Sequence, residues 1–96
     1  MNDINNIQEV DKELIGNLIF PDEEILKKSS DIALRSSSLE RAIALGNLEH
    51  HKVKIFFSDE EGLKFVHTTI WGITDKAVLL KQNTILPINR IHKLEI

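Results

Sequence analysis

From residue 53 onward, apolar and polar positions alternate in short runs separated by turn residues. In KVKIFF, Val53, Ile55 and Phe57 fall on one side of an extended chain, and Lys52, Lys54 and Phe56 on the other. That period of two is what a half-buried strand requires. Ser58 to Gly62 (SDEEG) is expected to be a hairpin loop, and Leu63 to Thr74 one long strand whose two faces turn apolar in succession. Gly72 inside it marks a bend or bulge, the device by which one strand serves both sides of a tightly curled sheet. Asp75-Lys76 then turns the chain into AVLLK, and Gln82-Asn83 turns it into TILPI. Pro87 lacks an amide hydrogen and belongs at a strand end or edge. A single helical turn over Asn89-Arg90-Ile91 leads to a last strand, HKLEI.

The first half of the chain changes period. Ile4, Ile7, Val10, Leu14 and Leu18 recur at spacings of three and four, which predicts an amphipathic helix over 3–20, ended by Pro21. Pro21 followed by Asp22, Glu23 and Glu24 predicts a second helix start. Proline suits a first turn, and the carboxylates suit the positive end of the helix dipole. Lys27 and Lys28 sit four residues after Glu23 and Glu24, the favourable order for helical ion pairs. Ile25, Ile32 and Leu39 recur every seven residues, so one longer helix is an alternative, but Ser36-Ser37-Ser38 argue for a break. Ser37-x-x-Glu40 has the pattern of a capping box ahead of a short helix with Leu39, Ala42 or Leu45, and Ile43 on its apolar stripe. Gly46-Asn47 is its stop signal. The reading is α+β: an acidic helical arm, partly flexible, over 1–37, then a helix and a five-stranded, strongly bent antiparallel barrel of the SH3 or Sm type over 38–96.

Charge separates the halves further. Residues 1–49 carry five Lys/Arg against ten Asp/Glu, whereas residues 50–96 carry seven against five and hold all four histidines. An acidic arm is ordinarily just well solvated. The sharper reading is that it shields a mildly basic barrel or competes with an acidic partner for it. Without cysteine there is no disulfide, thiolate metal site or thiol nucleophile. No apolar run has the length of a membrane span, and MNDINNIQEV has no basic start followed by an apolar run, so the expected location is cytoplasmic.

VKIFF, a glycine ahead of LKFV, and Thr74-Asp75-Lys76-Ala77-Val78-Leu79-Leu80-Lys81 together resemble the first motif of the bacterial Hfq branch of the Sm-like family. The resemblance covers about residues 38–96. It implies a small barrel, ring assembly and RNA binding. The chain departs from it in two ways: the stretch from Asp75 to Lys81 is one residue shorter, and where the family has a Tyr-Lys-His run this chain reads Pro87-Ile88-Asn89-Arg90. Only Asn89 and Arg90 are carried over as polar groups there. The ending TTIW…ILPINRIHKLEI is also similar to short uncharacterised proteins of Bacteroidetes bacteria.

Chemistry-bearing residues are sparse. His50 and His51 are adjacent and point to opposite faces of an extended chain, and His67 and His92 fall in separate strands, so no metal site or cofactor is expected. Ser58, Thr68 and Thr69 offer hydroxyls and Asp59, Glu60 and Glu61 offer carboxylates at a solvated loop tip. No base-plus-nucleophile pair is legible, so the chain is expected not to be an enzyme. An enzyme or metal protein using His67 or His92 is the weakest reading. Binding is the stronger expectation. Trp71 reads first as core on a bent strand and, alternatively, as the anchor of an interface with Phe56 and Arg90. The leading function is a non-catalytic interaction module that captures a protein partner or self-associates through strand edges such as TILPI and HKLEI. The alternative is an Sm-like RNA-binding regulator using Asn89, Arg90, Lys54, Lys81 and Lys93.

Overall fold

A computed structural model describes residues 7–96 of the chain. Its order of elements is β1 (Gln8–Glu9), α1 (Ser29–Glu49), β2 (Val53–Asp59), β3 (Gly62–Thr68), β4 (Ile70–Ile73), β5 (Ala77–Leu80), β6 (Ile85–Pro87) and β7 (Ile91–Glu95). One sheet runs β1-β3-β2-β7 and the other β4-β5-β6. All pairs are antiparallel except β1 with β3, which is parallel. The fold is α+β, with one long helix and mixed sheets. Among the described residues β6 and β7 share no ladder, so backbone pairing does not close the sheets into a barrel. The two strands are joined instead through a single 3-10 turn, Ile88–Arg90.

Strand positions follow the alternation closely, with instructive exceptions. The expected long strand divides at Thr69, whose hydroxyl donates to the His50 carbonyl at 3.2 Å and ties the bend to the end of α1. The bulge lies between Ile70 and Gly72, leaving Trp71 as the extra residue. The β2–β3 loop shrinks from the expected SDEEG to Glu60-Glu61, because Asp59 builds the turn itself. Its Oδ1 accepts the Glu61 and Gly62 amides at 2.9 and 3.1 Å, a side-chain mimic of a backbone turn. Gly62, at φ +136°, supplies the backbone conformation that a side chain would resist. The β5–β6 connection turns through Lys81 to Asn83, with Gln82 and Asn83 both at positive φ.

The helical arm is the main correction. Within the described residues, 7–28 form no α-helix. The segment is a strap that adds β1 to β3, makes a 3-10 turn at Lys12–Asn17, and runs extended to Lys28. The start of the predicted first helix, residues 3–6, lies outside the described residues. Only part of that pattern is spent on the core: Val10 is buried and Leu18 packs against it, Leu14 is exposed, and the strap's other core residues, Ile15 at 1% exposed and Phe20, come from outside the predicted stripe. Burying a side chain of this size contributes about 1.5–3 kcal/mol, more than the propensity of a short helix interrupted by Gly16.

The second predicted helix begins at Ser29, not near Pro21, and it does not break at the serines. Ser36 and Ser37 are exposed, and the Ser37 hydroxyl donates back to the Ala33 carbonyl at 3.2 Å, so these residues do not interrupt the ladder. The expected boundary between residues 37 and 38 therefore falls inside α1. Its buried face is Arg35, Leu39, Ala42 and Gly46. Gly46 is not a stop signal: α1 crosses β4 there so closely that a Cβ would stand 2.6 Å from the Ile70 carbonyl oxygen. The helix ends at His50, in the left-handed conformation, with its amide on the Gly46 carbonyl.

The core between α1, the strap and the two sheets is formed by Ile55, Phe57, Val66, Ile70, Val78, Leu86 and Ile91, with Leu39 and Ala42 from the helix.

Candidate functional site

Two surfaces bring chemistry-bearing residues together. The first is the outer face of β4-β5-β6. Gly72 pairs with Leu79 and Leu79 with Ile85, a row on the side away from the core. Because the bulge ejects Trp71 from the ladder, its ring stands beside this row and is 54% exposed. Ile85 is 56% exposed, and Leu79 is also open. Trp71 is thus not core, the position its size favoured. A hollow of about 640 Å³ lies among Trp71, Leu79, Ile85 and the turn Lys81 to Thr84. His50 flanks the ring, with centroids 6.5 Å apart. Lys81 is the one cation in the lining of this hollow.

The second surface lies between α1 and the outer side of β7 and β2. Phe56 is buried here rather than in the core. It packs on Phe65 with centroids 5.4 Å apart, while the Lys93 ammonium sits 5.2 Å from its ring and the Lys54 ammonium 5.5 Å from that of Phe65. Phe56, Lys54 and Lys93 are therefore gathered on one sheet face, with the cations covering the aromatic rings. A groove of about 520 Å³ continues from Phe56 to the exposed Leu34 and Leu63.

Asn89 and Arg90 join neither surface. The Asn89 amide donates to the Asp22 carbonyl. Arg90 is 6% exposed, with Nε on the Ser58 carbonyl and Nη1 on the Glu23 carbonyl, both at 3.0 Å. The two polar groups that the sequence offered for phosphates or a partner here hold the strap to the 3-10 turn. A second guanidinium does the same from the helix. Arg35 grips Glu24 with Nη1 and Nη2, and its Nη1 also donates to the Ile91 carbonyl at 3.0 Å. Its hydrogen bonds hold the Glu24 carboxyl below the usual range of about 4.5.

Asp59, expected at a solvated tip, is buried and pairs with the Lys64 ammonium, which also meets Glu61 at 2.9 Å. Burial alone would raise the Asp59 carboxyl. The Lys64 contact and the two turn amides outweigh it and hold the pKa below the ordinary value. Lys64 is raised in turn, chiefly by Asp59.

One arrangement escaped the sequence. A register shift between Phe56 and Phe57 sets Ser58 against His92, Oγ to Nε2 at 2.7 Å. Pairing the ends of VKIFFSD and HKLEI antiparallel brings these residues near one another; the bulge needed to align them leaves no trace in residue types. Burial first, then the positive charges of Arg90 and Arg35, lower the His92 pKa. Among the described residues no carboxylate contacts the other ring nitrogen, so the pair lacks the group that orients a general base. Nor does any cluster of three metal-ligating side chains occur among the described residues, and no helix there is long and apolar enough to cross a membrane.

Comparison of the chain with protein-family models, curated proteins and solved structures gave no match.

Proposed function

We propose that the chain is a non-catalytic interaction module that self-associates through the outer face of β4-β5-β6 and the free edge of β6. The observation that carries this reading is Trp71, ejected by a bulge onto an apolar row whose Leu79 and Ile85 are solvent-facing. Isolated exposed apolar residues are ordinary on a protein surface, whereas a contiguous set with a tryptophan is typical of an interface centre. β6 and β7 each pair on one side only, which leaves backbone groups for a neighbouring strand. Counting β3 and β4 as one bent strand, the order β7-β2-β3/β4-β5-β6 is that of an opened five-stranded SH3 or Sm-type barrel, and it supports the family resemblance at the level of strand order. The test is the mass of the full chain in solution across a concentration series, with Ile85→Lys as the disrupting variant. Association that persists unchanged in the variant removes this face from the account.

The alternative, an Sm-like RNA-binding regulator, draws support from one observation: the exposed Trp71 ring shares a hollow with Lys81, as a base-stacking platform with an adjacent cation would. It predicts quenching of Trp71 fluorescence by oligouridylate at low salt, weakening as salt rises. Absence of quenching would remove it.

A further inference from the structure

The margin of the apolar β4-β5-β6 face carries a titratable group. α1 ends at His50, which takes the left-handed conformation at φ +54°, with its amide on the Gly46 carbonyl. Histidine is among the side chains that tolerate this backbone. The Thr69 hydroxyl donates to the His50 carbonyl, so the residue is fixed between the end of the helix and the bend into β4. The bulge that follows ejects Trp71, and the imidazole and indole come to 6.5 Å between centroids, tilted by 50°. Both residues are exposed.

Imidazole is the side chain that ordinarily gains its charge between about pH 8 and pH 5. Neutral, it is a small ring at the edge of an apolar surface and can be covered with it. Charged, it opposes covering in two ways. An imidazolium is drawn to the negative face of the indole and competes there with the apolar groups of a partner. Covering it also strips water from an ion. The charges around it do not offset this. β4, on which this end of α1 packs, has none between Ile70 and Ile73, and Lys81 of the neighbouring turn adds a cation to the Trp71 hollow. Along the chain Glu49 precedes His50, and His51 and Lys52 follow. Among the described residues no carboxylate forms an ion pair with His50. We propose that His50 is a proton-operated switch on the Trp71 face: neutral, it leaves the face open to a second copy of the chain, and protonated, it caps the indole and releases that copy. The switch rests on the reading of this face as a self-association surface. Association is then complete above the ordinary histidine range and lost as pH falls through it.

The test takes the full chain from about pH 8 to about pH 5, with mass read by light scattering and indole emission read in dilute samples. The chain has one tryptophan and no tyrosine, so its emission reports this ring alone. Association is expected to weaken about tenfold or more over this range. Emission is expected to fall with it, because an imidazolium held against an indole quenches it. The background runs the other way: a chain of net charge −3 approaches neutrality as pH drops, which by itself favours association. His50→Asn keeps a side chain suited to the left-handed backbone and should lose both responses. His50→Lys carries a permanent charge and should associate about tenfold more weakly than wild type even at pH 8. Wild-type association that holds or strengthens down to pH 5, or responses that His50→Asn retains, would overturn the switch while leaving the Trp71 face as an interface. A wild-type chain that is monomeric at every pH would remove the face and the switch together.

Discussion

The two sheets of this small domain spend their residues differently. The four-stranded sheet, with α1, the strap and the 3-10 turn before β7, holds every buried charged group among the described residues: Arg35, Asp59, Lys64 and Arg90. Most of their hydrogen bonds point inward, to backbone carbonyls, turn amides or one another. The three-stranded sheet buries no charge and instead shows water Trp71, Ile73, Leu79 and Ile85. The first region uses polar groups to fix a strap that has no α-helix among its described residues; the second keeps apolar surface uncovered. Substitutions in the first are therefore expected to change stability, and those in the second to change association.

The largest stability effect is expected at the β2–β3 turn. Lys64→Met leaves the buried Asp59 carboxylate without its counter-ion and should cost about 3 kcal/mol in urea unfolding, the low end for a broken buried pair because Asp59 keeps its two amide donors. Adding Asp59→Asn should restore part of that loss; a double variant as unstable as the sum of the singles would show that the pair is not coupled. Next comes Gly46→Ala. Alanine favours the helix, yet its methyl would press on the Ile70 carbonyl, so a net loss of about 1–2 kcal/mol is expected. A gain in stability would mean that α1 does not lie as closely on β4 as described.

Smaller effects follow from titration. The His92 pKa is lowered from its ordinary value of 6.5, so the folded state takes up its proton less readily than the unfolded chain. Stability should therefore fall as pH drops below about 6.5 and level off beneath the lowered value. His92→Gln should remove that component from the pH profile. Asp59 and Glu24 are shifted down from 3.8 and 4.5, so their contribution is present above those values and lost as pH falls through the lowered ones. The smallest stability effect is expected on the open sheet: Ile85→Lys and Trp71→Ser should lie within about 0.5 kcal/mol of wild type, as substitutions away from packed groups do. Melting of either variant well below wild type would place these residues in the core and erase the contrast between the sheets.

How far the sequence reached follows the same division. The strands after residue 53 were legible because alternation and turn residues are local signals, and Pro87 sits at the end of β6 as its missing donor requires. The strap was not. Val10, Leu14 and Leu18 have helical spacing, but Gly16 and Pro21 limit the helix, and the space beside β3 and between the sheets offers Val10, Ile15 and Leu18 burial that a lone amphipathic helix lacks. The buried roles of Asp59, Arg35 and Arg90 were hidden for a related reason: charged residues read as solvated unless their partners are known, and Arg90 finds its partners at Glu23 and Ser58, far along the chain. Trp71 carried an ambiguous signal. The neighbouring Gly72 pointed to a bulge but not to which residue the bulge would eject.

The central claim is that the uncovered apolar face is an association surface, and its most direct test is the absolute mass of the untagged full chain by light scattering on a gel-filtration column, run across a concentration series beside Ile85→Lys. The account predicts a wild-type particle of more than one chain whose mass rises with concentration, and a monomeric Ile85→Lys that melts with wild type. A wild-type chain that stays monomeric throughout, or an assembly that Ile85→Lys leaves unchanged, would contradict it.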